Sequence, residues 1–378
     1  MPDKNAAAHR ARAFSKMISA CGYKPVIIGM KQDSNEATIL NTCEELDEAL
    51  VYSMKYPESS IDWIKMLGAI GDLKQVVNHL GSVNIKAIIA MDYFSVALWR
   101  MMNFCNKMSI KFIVDTVDWF EKSNYSFPKN IIKDIDTKVR MGFLHKKSTN
   151  MITISKFLFD YYQPFVKKIV QIPGVVVTAE ERKSVEKFHT RDDVISLVFV
   201  GSPGNKCEKE KIDWLIKIVC EINKEEKQVV FHIAGITKET LEMNRPELFE
   251  LDNLESSIVF HGRITHDECI ELVAKSDFSV IIREDTLLSR AGFPTKLGES
   301  YTCGTPVFVT PTSNISEYIP VTHGVITDEC NYEAVEQKLY ELVQLKKEDI
   351  GKMHKSILSY NPLGCMNFVN DFLQIIEI

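Results

Sequence analysis

The sequence predicts an α/β protein whose two halves are each a parallel sheet wound on both faces by helices. Three observations predict it. Short apolar runs rich in Val and Ile alternate with helical patterns along the chain, as crossover-connected parallel strands require. The 378 residues, 45% of them hydrophobic, suffice for two domains with full cores. A Pro173-Gly174 break falls where the charge changes sign: residues 1–175 hold 23 Lys+Arg against 17 Asp+Glu, and the remainder 22 against 34.

Composition narrows the classes. Nine cysteines show neither CxxC spacing nor paired clusters, so neither a zinc site nor a disulfide framework is expected, and a reducing cytoplasm fits. No signal peptide is apparent, and no apolar run approaches the roughly 18 to 20 residues of a membrane span. The basic first half suits an anionic partner, a membrane surface or a phosphorylated acceptor, or else is simply a solvated face. The acidic second half argues against nucleic acid.

In the first half, Ala6 to Cys21 reads as an amphipathic helix stopped by Gly22, and Pro25 to Met30 as a strand. Residues 31–82 read as mostly polar and helical. Ile85–Ala90 is a strand, Tyr93–Lys107 a helix, and Lys111–Val114 a strand whose carboxyl end leads into Asp115-Thr116-Val117-Asp118-Trp119, where ligands of open sheets bind. Asp118 there is either a functional carboxylate or a helix cap. Asp134-Ile135-Asp136 spells a metal-type DxD, but its Lys-flanked helical run makes it a solvated face, and no metal is assigned. Met151–Ser155 and Lys168–Pro173 are the last strands before a polar linker over 174–193.

The second half opens with the strand Ile195–Val200 and the turn Gly201-Ser202-Pro203-Gly204-Asn205-Lys206-Cys207-Glu208-Lys209, leading to a helix around Ile212–Cys220. Glycine lets backbone approach a phosphate closely at such a strand–turn–helix. Val229–Ala234 and Ile258–Gly262 are further strands, the second followed by Arg263. Phe278–Ile282 and Val307–Thr310 then bracket Arg283 to Pro306. Pro294, Gly304 and Pro306 delimit a helix of roughly two to three turns between them. Thr295 and Glu299, four apart on one face, would present an anion site at the helix start and a carboxylate one turn on for a sugar diol. Thr322–Ile326 carries a short final strand, and Pro362–Ile375 a last helix.

Gly292-Phe293-Pro294-Thr295-Lys296-Leu297-Gly298-Glu299, followed by Cys303-Gly304-Thr305-Pro306-Val307, resembles the nucleotide-sugar signature of retaining glycosyltransferase family 4. The resemblance implies the GT-B fold: two Rossmann-like domains facing a cleft, an acceptor domain over 1–174, a donor domain over 175–354, and a helix over 355–378 returning to the first domain. Glu299 matches the signature's second glutamate, which holds the ribose, while the first falls on Ala291. The backbone of Gly292, Phe293 and Pro294 is then expected to hold the donor sugar. An Arg and a Lys hold the donor diphosphate in the family; the Arg position is Ser202, and the Lys is Lys206 or Lys209.

Arg283, at the end of its own strand, would supply the guanidinium missing at Ser202 and, with Lys296 and the Gly201 turn, meet the diphosphate; the resemblance places Arg263 near the base, and Asp118 and Trp119 on the acceptor side, Asp118 to orient or deprotonate a hydroxyl. His9 and Arg10 would meet an anionic acceptor or lipid, or be solvated. It implies transfer from a nucleotide-diphosphate sugar to a glycan or lipid-linked acceptor with retention, in capsule or O-antigen synthesis at the inner membrane face. No cofactor or metal is expected. The alternatives are a GT-B nucleotide-sugar epimerase, or a degenerate member that only binds nucleotide sugar or a partner glycosyltransferase.

Overall fold

The computed structural model describes residues 6–31, 38–119, 129–177 and 194–377. The chain divides into two units. The first takes Met1–Val177, Ala291–Phe293 and Gly364–Ile378; the second takes Thr178–Arg290 and Pro294–Leu363. Most of the expected linker, 178–193, lies outside the described residues.

In the first unit the helix Ala6–Ala20 ends just before Gly22, whose φ of 82° suits a glycine stop. Strands β1 (Val26–Lys31), β2 (Glu44–Leu46) and β3 (Ala49–Lys55) then form a small sheet in the order β1-β3-β2, with β1 parallel and β2 antiparallel to β3. This corrects the helical reading of 31–82. Two features hid the hairpin. Ala49, Val51, Tyr52 and Ser53 are all buried, so β3 lacks the alternation of a half-exposed strand. Its turn is made by Asp47 and Glu48, at φ 48° and 68°, in place of an Asn-Gly type pair.

A second sheet of this unit holds β4 (Ala87–Met91), β5 (Lys111–Thr116), β6 (Asn150–Thr153) and β7 (Lys168–Gln171), all parallel and in chain order. Ile113 and Ile152 of this sheet share a core with Ala13, Phe14 and Met17 of the first helix and with Phe372, Ile375 and Ile376 of the helix Val369–Glu377. That closing helix starts later than the expected Pro362, because the one-turn helix Cys365–Phe368 precedes it. Residues 355–363 belong to the second unit instead, where they complete and follow the helix Lys347–Ser359.

The second unit is one six-stranded parallel sheet of β8 (Ile195–Val200), β9 (Val229–Ala234), β10 (Ile258–Gly262), β11 (Phe278–Ile281), β12 (Val307–Val309) and β13 (Gly324–Ile326). Its order is β10-β9-β8-β11-β12-β13. The chain therefore winds outward from β8 through β9 to β10, returns, and starts outward the other way at β11. Such a reversal leaves a crevice beyond the carboxyl ends of the two strands at which it occurs, here β8 and β11. The helix Ile212–Ile222 buries Leu215, Ile216, Ile218 and Val219 against the sheet. Among the described residues, no helix is long and apolar enough to cross a membrane.

Candidate functional site

The residue after β8 is Gly201, and the cation that closes β11 is Arg283. Both lie at the reversal point of the second unit. Gly201 has φ 120°, and a side chain there would meet Lys296 Cε at 3.3 Å. Gly235, the residue after β9, packs against it so closely that a Cβ would stand 2.5 Å from the Gly201 carbonyl oxygen. These two glycines bring three strand-end backbones together, because Gly201 N–H donates to Ala234 and Gly235 N–H donates to Gly262.

Next to Lys296, which packs against Gly201, lies a buried carboxylate that was not among the expected site residues. Glu210 is 1% exposed. Its Oε1 accepts from Arg283 Nε at 3.0 Å and from a terminal Arg283 nitrogen at 2.7 Å, and from Lys296 Nζ at 3.0 Å. The lysine amine also lies 3.9 Å from the centre of the Phe199 ring. Burial alone would raise the Glu210 pKa, but Arg283 and then Lys296 outweigh it and hold the carboxyl below its usual range. Burial pushes the Lys296 amine down to about 8, with Glu210 opposing and Arg283 adding to the fall. Two cations thus share one anion, leaving an excess positive charge beside a glycine turn. In sequence, Glu210 sits in a Lys-rich run, KEK, that reads as solvated; its place just ahead of an apolar helix was the one available signal.

The structure separates the two candidate lysines. Lys209 bears electrostatically on Lys296, and its backbone N–H donates to Pro203, keeping it against Gly204. Lys206 is exposed in a left-handed turn with Cys207, at φ 50° and 61°, and its carbonyl accepts from Arg245 at 3.4 Å. Both lysines are exposed, and Lys209 is the one whose charge bears on Lys296.

The helix predicted to carry the nucleotide signature runs Thr295–Thr302, with Pro294 immediately before it and contributing no side-chain cap. Thr295 and Glu299 are both half-buried on it. Gly292 and Phe293 are buried and belong to the first unit, whereas Pro294 and the helix belong to the second. Ala291 is fully buried, and its carbonyl accepts from Ser155 Oγ at 2.7 Å. Glu284, seven residues before Ala291, pairs with Lys211 at 2.9 Å. Arg263 is exposed after β10, and His261 is paired, ring nitrogen to ring nitrogen at 3.0 Å, with the buried His232.

In the first unit one expectation is overturned. Arg10 was expected at an acceptor, a lipid or solvent; it is 4% exposed and fully used inside the unit. Its fork binds both carboxylate oxygens of Asp115, at 2.8 and 2.7 Å, and its remaining nitrogen donates to the Pro173 carbonyl at 2.6 Å. A planar guanidinium opposite a buried carboxylate at a strand end is a structural clamp tying the first helix to β5 and to the chain after β7. The partner lies 105 positions away, which is why local sequence could not reveal it. His9 is half-buried on the same helix. Asp118 and Trp119 follow β5, both half-buried, and the indole lies 4.9 Å from Tyr161 and 6.5 Å from Phe157 between ring centres. Trp119 is thereby fixed by aromatic packing from the helix Lys156–Tyr162. Among the described residues, no three His, Cys, Asp or Glu side chains gather as a metal site.

Comparison with known proteins bears on this site. Residues 195–344 match the family described as glycosyl transferases group 1. An uncharacterised glycosyltransferase of Methanocaldococcus jannaschii is 23% identical over 225 residues, covering 59% of this chain; the chain spans about half of that relative, 54% of its length. Sucrose-phosphate synthase from Thermosynechococcus elongatus superposes with a TM-score of 0.65 at 13% identity, over 97% of this chain and 91% of its own. A glycosyltransferase from Rickettsia africae gives 0.59 at 15% identity, over 99% and 96%. An Anabaena protein in complex with UDP and glucose gives 0.58 at 13% identity, over 93% and 98%. Likeness at this level shows the fold, α/β of the GT-B type.

Proposed function

We propose that the chain is a retaining glycosyltransferase that moves a sugar from a nucleoside-diphosphate donor to a hydroxyl of a glycan or lipid-linked acceptor, without a metal ion. The observation that carries this reading is the cationic cluster at the β8/β11 reversal: Lys296 and Arg283 share the Glu210 carboxylate next to Gly201, at the start of the helix Thr295–Thr302. When the anomeric carbon–oxygen bond breaks, negative charge develops on the departing diphosphate. Fixed cations and backbone N–H groups at that place favour the transition state over the ground state. The match of residues 195–344 to a glycosyltransferase family, and an Anabaena neighbour that holds UDP and glucose, support the donor class.

On this reading Glu299 holds the ribose diol, the backbone of Gly292, Phe293 and Pro294 faces the sugar, and the leaving phosphate takes the acceptor proton while Asp118 orients the hydroxyl. Trp119 offers its ring to an acceptor sugar, and His9 its imidazole to acceptor charge. The setting is surface polysaccharide assembly, capsule or O-antigen, at the cytoplasmic face of a membrane. A surface of the first unit supports the membrane part. Ile131, Ile135, Val139 and Phe143, spaced by four along the helix Lys129–Val139 and its continuation Arg140–Leu144, form an exposed apolar stripe. Lys138 and Lys147 flank it, the latter with its amine 3.9 Å from the Phe143 ring centre. Apolar and aromatic groups edged by lysine suit an anionic bilayer surface.

The fully buried Ala291, standing where the signature has its first glutamate, favours one second reading: a protein that binds nucleotide sugar without transferring it. Calorimetric titration of UDP, GDP, ADP and CMP into the wild type and Glu299→Ala tests both. One diphosphate should bind, and the variant should weaken it roughly tenfold or more, about 1.4 kcal/mol. Absence of binding at millimolar concentration would sink the donor site. Binding with neither transfer nor hydrolysis of the matching nucleotide sugar would leave the second reading standing.

A further inference from the structure

Glu210 is absent from the resemblance that led to the site, yet it is the most deeply buried charge within it. One oxygen carries the whole load: Oε1 takes all three hydrogen bonds from Arg283 and Lys296. The other, Oε2, is buried and has no hydrogen-bond partner among the described residues. A carboxylate removed from water costs several kcal/mol unless it is compensated. Arg283 and Lys296 supply that compensation, and reciprocally Glu210 is what allows two cations to stand side by side out of water. Arg283 is further locked by Thr310, whose hydroxyl accepts from the Arg283 N–H and donates to its carbonyl, both at 2.8 Å. Lys296 is confined between the Phe199 ring and Gly201.

We propose that Glu210 is a positioning residue of the donor site, a resident anion that holds Lys296 and Arg283 together as one preformed cationic cluster for a diphosphate. This rests on the donor-site reading above. A preformed cluster binds without first ordering two long side chains, which is the saving that preorganisation provides. The arrangement also sets the sign of the pH response. The charged groups bearing on the Lys296 amine are Glu210, Arg283 and Lys209. Of these only Glu210 favours the protonated lysine. Without it, burial and two neighbouring cations act alone, and the lysine gives up its proton at a lower pH.

The test uses the full chain with its lysines isotopically dimethylated, the Lys296 signal being assigned by its loss in Lys296→Arg. Titration of the nucleotide-free protein should give a Lys296 midpoint near 8. In Glu210→Gln the midpoint should fall by about one pH unit or more, and in Glu210→Asp it should stay closer to the wild type. Arg283→Met, which removes the competing cation, should move it up. Should Glu210→Gln fail to fold in a thermal melt, the Arg283→Met shift still decides. An unchanged midpoint in Glu210→Gln or, should that variant not fold, in Arg283→Met would overturn the positioning role. In parallel, UDP affinity against pH should lose its basic arm earlier in Glu210→Gln than in the wild type. If the Lys296 midpoints shift as stated but the wild type binds no UDP, GDP, ADP or CMP at any pH, the cluster is real and the diphosphate assignment is the part overturned.

Discussion

A histidine kept out of water responds to acid at a pH that its surroundings choose. His145 is 1% exposed, with Nδ1 3.3 Å from the Thr116 hydroxyl. Burial first, and the Arg140 charge second, push its pKa from the ordinary 6.5 to about 3. Arg140 is itself buried and paired with Asp92. Between those two pH values the unfolded chain binds a proton that the folded chain does not, so acidification favours unfolding. Stability should therefore fall as pH drops below 6.5, with His145 contributing on the order of 1 kcal/mol per pH unit. Urea melts at pH 7, 6 and 5 should show a shallower loss in His145→Gln than in the wild type; parallel losses would mean that the imidazole is not held neutral.

At the scale of elements, the meeting of the β8, β9 and β10 ends depends on a residue with no side chain. Gly235 combines φ 97° with a carbonyl oxygen 2.5 Å from where a Cβ would be. Gly235→Ala should cost about 1–3 kcal/mol, the range of a forced backbone conformation, and should weaken diphosphate binding with it. Thermal melts and calorimetry on the same preparation check both; an alanine variant with native stability and affinity would show that the strand ends adapt freely. Strands β8, β9, β11 and β12 were legible because each is a short apolar run almost wholly buried on both faces. The β2–β3 hairpin was not, because its buried residues do not alternate and its turn uses acidic residues. Of the site, Gly201, Arg283 and Lys296 could be read from strand ends and a helix start. Glu210 could not, because nothing local tells a carboxylate with two distant cationic partners from one in water. Arg10 failed for the same reason: its clamp on Asp115 exists only once β5 lies beside the first helix.

At the scale of the molecule, the apolar stripe of the first unit makes a prediction about where the protein spends its time. Wild-type protein should co-sediment with vesicles containing anionic lipid more than with zwitterionic ones. The double variant Ile135→Asp, Phe143→Asp should lose most of that binding, by roughly tenfold, while its melting temperature stays near the wild-type value, because both side chains are exposed. Equal sedimentation of the two proteins would remove the stripe from any membrane role. The return of residues 364–378 into the core of the first unit carries a different consequence, one of timing. During synthesis Phe14, Met17 and Ile113 emerge long before Phe372, Ile375 and Ile376, and the second unit lies between. At roughly 5–20 residues per second, the ribosome needs on the order of ten to forty seconds to pass from Val177 to Gly364. For that interval the nascent first half carries an open apolar face, so its burden on chaperones is set by elongation rate as much as by its own sequence.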